Sequence, residues 1–296
     1  MQRLLSRRGL LALLAFAWCT AGMPARAYDG EQHQQLTFLA AKQFNRCVAG
    51  TNVPMLTPLQ VRYIARSNVG QAERNLFARM FNWRYYDRGA EAERSMMWAF
   101  DTRFHEHFNE VLERLNRADD AAKRYSNLGR IVSYVQVVSS PAHTVPVYTA
   151  RFWRFSVTDR FDRYSVDEDA VAALIADGCD FLNEPAVDYG ALVRAVATET
   201  LSAVREPIGG IPASWEVFWE FADQAGNFGE YGPAGNNFGR ATQFKCRGDE
   251  RCVLLKDDPL YAQFARERHL SAVRGTMGAM LLMQLGAGTT ELVNAE

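Results

Sequence analysis

Residues Leu128 to His143 read LGRIVSYVQVVSSPAH, a helix-like run that stops at Pro141 and leads into a lone histidine, His143. Within it Ser133 and Val137 stand four residues apart, so they share one face of the helix. The same period extends outward in both directions. His33, Leu36, Ala40, Phe44 and Cys47 recur at three- and four-residue steps and predict a first helix from about 32 to 48. Thr57, Pro58 and Gln60 mark a second helix start, with a capping hydroxyl, a first-turn proline and a capping-box glutamine. Further helices are expected near 90–115, 121–138, 167–182, 188–204, 215–224 and 259–285. Few segments alternate with period two. The expected fold class is therefore all-α, a multi-helix domain with long loops over 204–214 and 226–256.

A chain of 296 residues, 48% hydrophobic and 23% charged, has an ordinary globular composition. One domain over 28–296 is expected. The net charge of -1 leaves no basic excess with which to release counterions, which argues against bulk nucleic-acid binding. Residues 1–27 read as an export signal: Arg3, Arg7 and Arg8 precede the apolar run Leu10 to Trp18, and Ala25, Arg26, Ala27 form a small-residue cleavage end. Ser6, Arg7, Arg8, Gly9, Leu10, Leu11 also suits a twin-arginine signal, so either the general secretory or the twin-arginine route fits. No later stretch approaches the roughly 20 apolar residues of a transmembrane helix. The expected product is exported, periplasmic or secreted, and begins near Tyr28.

Removal of that signal takes Cys19 and leaves Cys47, Cys179, Cys246 and Cys252, an even number for an oxidising compartment. Cys246 and Cys252 flank the turn-like RGDER and suit a local staple, which leaves Cys47 and Cys179 as a long-range tie; three connectivities are open on sequence alone. A four-cysteine zinc site is the rival reading, but the five-residue spacer exceeds the usual two to four. His105 and His107 flank Glu106, and positions two apart on a helix diverge by about 200 degrees, so the pair cannot share an ion. Asp101 and His105 share a face and read as a surface ion pair, while His269 reads as structural.

The run through His143 resembles the metal-binding segment of the zinc-dependent phospholipase C and S1/P1 nuclease superfamily, LG..LHYLQD...P.H. Ser133 and Val137 occupy the positions at which that pattern has its His and Asp. The resemblance extends to the N-terminus, where Tyr28 and, sixth from it, His33 match the terminal amine and the histidine that the family uses as zinc ligands. Asp162, in Thr158 to Tyr164, matches a family carboxylate, and Thr158 stands at the histidine position four residues before it. Arg84, in Phe81 to Asp87, stands where the family's Asn-His-Phe-Tyr-Asp run has its histidine, and Asn68 matches an earlier aspartate. The glycine-asparagine stretch Gly232 to Gly239 resembles a loop of bacterial relatives and reads either as a cleft wall or as a disulfide-braced surface turn.

The resemblance implies an exported phosphodiester hydrolase fold that cleaves phospholipids or nucleic acids with zinc-activated water. Carried over residue by residue, it leaves Tyr28, His33, His143 and Asp162 as candidate metal ligands, and Arg84, Ser133, Val137 and Thr158 as substituted ones. Catalytic zinc needs at least three protein ligands, and each remnant falls short. Arg84 is expected to supply a fixed positive charge in place of a cation, paired with Asp162 or Asp87. Three expectations stay open: a scaffold without the trinuclear zinc site that binds a phosphate-bearing or other anionic ligand such as a phospholipid; an active hydrolase with a remodelled site and residual zinc; and a non-catalytic structural or partner-binding protein. Trp215, Phe218, Trp219 and Phe221 read as core.

Overall fold

The structure, a computed structural model, describes residues 30–72, 86, 103–145, 147, 158–176, 179–223 and 228–286. The described helices are α1 (Gly30–Val48), α2 (Pro58–Ala72), α3 (Phe104–Asn116), α4 (Ala121–Val137), the one-turn α5 (Pro141–Thr144), α6 (Glu168–Ala176), α7 (Tyr189–Arg205) and α8 (Pro259–Leu285). One antiparallel hairpin, β1 (Thr242–Arg247) and β2 (Glu250–Leu254), precedes α8. The class is predominantly α-helical, and among the described residues no helix is long and apolar enough to cross a membrane.

Local chemistry fixes the helix ends. Thr57 and Gln60 bond reciprocally: the Thr57 N–H donates to Gln60 Oε1 at 2.8 Å and the Gln60 N–H to Thr57 Oγ1 at 3.3 Å, the capping box read from sequence. Asp120, Asp188 and Asp258 accept from the backbone N–H groups of Lys123, Ala191 and Leu260, so α4, α7 and α8 each begin on an aspartate. Pro259 then fills the first turn of α8, and Gly286, at φ 66°, closes its other end in the left-handed conformation.

Two helices organise the core. α4 packs on α2, α3 and α8, and α8 packs in turn on α1, α6 and α7. The α2–α4 contact depends on Gly129, because a Cβ there would fall 2.3 Å from the Ile64 carbonyl oxygen. The same core continues into an aromatic cluster of Phe161, Trp215, Phe218, Trp219, Phe238, Tyr261 and Phe264, with ring centroids as close as 4.4 Å for Trp215 and Phe264. Edge-to-face and tilted contacts of this kind add to plain area burial. Both disulfides form as read: Cys47–Cys179 ties the end of α1 to the turn after α6, and Cys246–Cys252 closes the hairpin.

Three segments differ from expectation. The helix expected over 167–182 ends at Ala176, and 180–182 form a single 3-10 turn beside the Cys47–Cys179 bond. Among the described residues 215–223 there is one 3-10 turn, Trp215–Val217, after which Glu220 and Glu230 exchange backbone hydrogen bonds at 2.9 and 3.1 Å. Trp215, Phe218 and Trp219 are core residues as expected, whereas Phe221 is only partly buried at the edge of the core beneath Arg205, and all four lie on an irregular segment. The stretch 226–256, expected as loop, contains the hairpin; its inward residues Phe244, Cys252 and Leu254 are buried.

Candidate functional site

Helix α4 carries Gln136 into the interior, where it meets residues of three other helices. Gln136 Oε1 lies 2.5 Å from His33 Nδ1 of α1 and 2.8 Å from Asn68 Nδ2 of α2. Its Nε2 donates to Thr37 Oγ1 of α1 at 3.2 Å and to Thr276 Oγ1 of α8 at 3.3 Å. An amide oxygen only accepts, so His33 holds its proton on Nδ1. The hydroxyls of Thr37 and Thr276 donate to carbonyls of their own helices, His33 and Ala272, which leaves their lone pairs for the amides. Asn68 Nδ2 also donates to Thr37 Oγ1 at 2.8 Å, while Asn68 Oδ1 is buried without a hydrogen-bond partner among the described residues. All five side chains are buried, and apart from Asn68 Oδ1 the amides and hydroxyls bond to one another and to the His33 ring at the centre of the bundle.

A second polar group forms where α5 meets the turn at 161–163. Pro141 starts α5, so Ser140 and His143 face the same side of one turn. Asp162 takes Ser140 Oγ on Oδ1 at 2.5 Å, and its Oδ2 lies 3.3 Å from His143 Nε2. Asp162 is fully buried and His143 is 5% exposed. The sequence-matched residues His143 and Asp162 are thus neighbours across the fold.

The segment carrying Asp162 is held from the other side by the glycine-asparagine stretch. Asn236 accepts from the Arg160 N–H at 2.8 Å and donates to the Thr158 carbonyl at 3.1 Å. Asp159, which is buried, accepts from Trp219 Nε1 at 3.0 Å, Tyr231 Oη at 2.8 Å and the Phe161 N–H at 2.8 Å. Ala234 and Phe238 are buried while Pro233 is exposed and the asparagines are half-buried, so this stretch is a surface turn anchored inward that clasps the 158–162 segment. Nearby His269 lies against Phe161, and burial pushes its pKa down to about 4.

Of the remaining sequence-matched positions, Ser133 and Val137 are buried on α4 and Thr158 is buried behind the clasp. Tyr28, Arg84, Asp87 and Asp101 lie outside the described residues. His105 is buried against Tyr86 and Phe104 and is not a surface group. Among the described residues no three His, Cys, Asp or Glu side chains converge as a metal would need. His143 and Asp162 make two donors, His33 is engaged by Gln136, and amides and hydroxyls complete the interior; these residues do not fit zinc. Sequence reading passed over Gln136 and Asp159. A glutamine inside the apolar Ile131–Val138 run was the one available signal for the first. The donors of Asp159 lie too far along the chain to be read from its neighbours.

Comparisons with family models, with curated proteins and with solved structures returned no match for this chain.

Proposed function

We propose that this chain is an exported, divergent phospholipase C/P1 nuclease-like protein in which a neutral hydrogen-bonded interior has replaced the trinuclear zinc site, and that it binds a phosphate-bearing or other anionic ligand without hydrolysing it by the zinc route. The observation that supports this reading is the convergence of His33, Asn68 and α4 on Gln136. Two positions matched to metal ligands, His33 and Asn68, meet in space, yet the His33 Nδ1 and the amides and hydroxyls around it are bonded to one another. A divalent cation placed there would have no carboxylate to offset its charge.

Metal analysis of the purified protein, together with assays on bis-nitrophenyl phosphate and phosphatidylcholine, tests this reading. The expected result is substoichiometric zinc, no zinc-dependent cleavage, and measurable binding of inorganic phosphate or phosphorylcholine by calorimetry. Stoichiometric zinc with cleavage abolished by His143→Ala would overturn it in favour of an active hydrolase with a remodelled site, the reading that the His143–Asp162 contact favours. Absence of both cleavage and phosphate binding would favour a structural or partner-binding role, which the aromatic filling beside Asp162 supports.

A further inference from the structure

The β1–β2 hairpin turns one face to the core and the other away from the body of the protein. Inward lie Phe244, Cys252 and Leu254, while the alternate positions Gln243, Lys245, Arg251, Val253 and Leu255 are exposed. Val253 and Leu255 are 54% and 65% exposed, two aliphatic side chains left to solvent two residues apart, Leu255 immediately after the end of β2. Lys245 and Arg251 are direct cross-strand partners. Like charges placed opposite each other weaken a hairpin, so local stability does not explain the pair. A bulge between Lys245 and Arg247 shifts the register, so Arg247 is paired with Glu250 towards the tip. Lys245 reaches Asp249 at 3.5 Å, but that aspartate is fully exposed and the pair is readily exchanged in water. The Cys246–Cys252 bond and the ties of Thr242 to Asn237 and Arg240 hold the face in one shape.

We propose that this face docks on an anionic phospholipid surface, with Lys245 and Arg251 sharing a lipid phosphate and Val253 and Leu255 entering the boundary between headgroups and acyl chains. The charge pair calls for an anion between its members, and the adjoining aliphatic pair calls for an apolar phase beside that anion. A bilayer carrying acidic headgroups offers both side by side, whereas a nucleic acid or an acidic peptide offers only the first. The proposal rests on the hairpin alone and is independent of the phospholipase-like reading of the interior.

Sedimentation with vesicles tests it, using phosphatidylcholine alone and an equimolar mixture of phosphatidylcholine and phosphatidylglycerol. The protein should sediment with the mixed vesicles and not with phosphatidylcholine, and added salt should weaken the binding. The double variant Lys245→Glu, Arg251→Glu should lower the partition by about tenfold or more. Val253→Ser with Leu255→Ser should lower it severalfold at unchanged charge; all four positions are exposed, so circular dichroism should report an intact fold. Equal binding to both vesicle types, or wild-type binding by the charge-reversed variant, overturns the proposal. So does a single-stranded oligonucleotide that competes fully with the vesicles while the serine variant binds as well as wild type.

Discussion

His33 Nδ1 on α1 and Gln136 Oε1 on α4 stand 2.5 Å apart in the centre of the bundle, and Asn68 and Thr276 reach the same amide from α2 and α8. Four helices therefore depend on one side chain. Gln136→Leu would roughly keep the volume and remove the acceptor of the His33 Nδ1–H in an apolar interior, while Asn68 Nδ2 keeps its bond to Thr37 Oγ1. The expected loss is about 2 kcal/mol of unfolding free energy by urea titration, since an orphaned buried polar group costs roughly 1–3 kcal/mol. A loss below 0.5 kcal/mol, where roughly neutral replacements fall, would show the network to be idle.

His269 gives stability a dependence on pH. Its folded pKa is about 4 against an ordinary value of 6.5. Below pH 6.5 the unfolded chain takes up a proton that the folded one refuses, so the burial of neutral His269 is fully tolerated above pH 6.5. Stability then falls as pH drops through the window from 6.5 to 4, by about 3 kcal/mol in total. His269→Phe should flatten that part of the profile measured by urea titration at successive pH values. A slope left unchanged by the substitution would assign the dependence to other groups.

The two disulfides should differ in weight. Cys47–Cys179 closes a loop of 132 residues and Cys246–Cys252 one of 6. On a chain-entropy basis their removal as serine pairs should cost about 5 and about 2 kcal/mol respectively. Differential scanning calorimetry of the two double variants would rank them, and the reverse order would contradict the loop-length account.

Gly129→Ala should cost about 3 kcal/mol, near the upper end for overpacking, because the obstructing atom is the Ile64 carbonyl oxygen and not a flexible side chain. Gly70→Ala on α2, where nothing lies within 4 Å of the added carbon, should be neutral or slightly stabilising through helix propensity. Thermal melts of the pair separate steric obstruction from any general intolerance of alanine.

What the sequence disclosed was local. The Thr57–Gln60 capping box and the local Cys246–Cys252 pair both lie within a few residues, where spacing alone determines who meets whom. The failures are tertiary. Trp215 to Phe221 have helical spacing, but Glu220 leaves to pair with Glu230, and Gly232 comes so close to the Glu216 and Val217 carbonyls that no continuous helix fits. Phe244 to Leu254 alternate over too few residues to stand out from loop, and the disulfide helps to make a hairpin of them. The same division runs through the site. The His143–Asp162 neighbourhood was legible from a matched pattern, whereas Gln136 and Asp159 acquire their roles only from donors brought in by distant helices and loops.

Asn236 grips the chain at Thr158 and Arg160 through main-chain atoms alone. The identity of the side chain at either position is therefore invisible to the grip. Asn236→Ala would release both backbone anchors together, whereas a non-proline substitution at residue 160 leaves both of these bonds available.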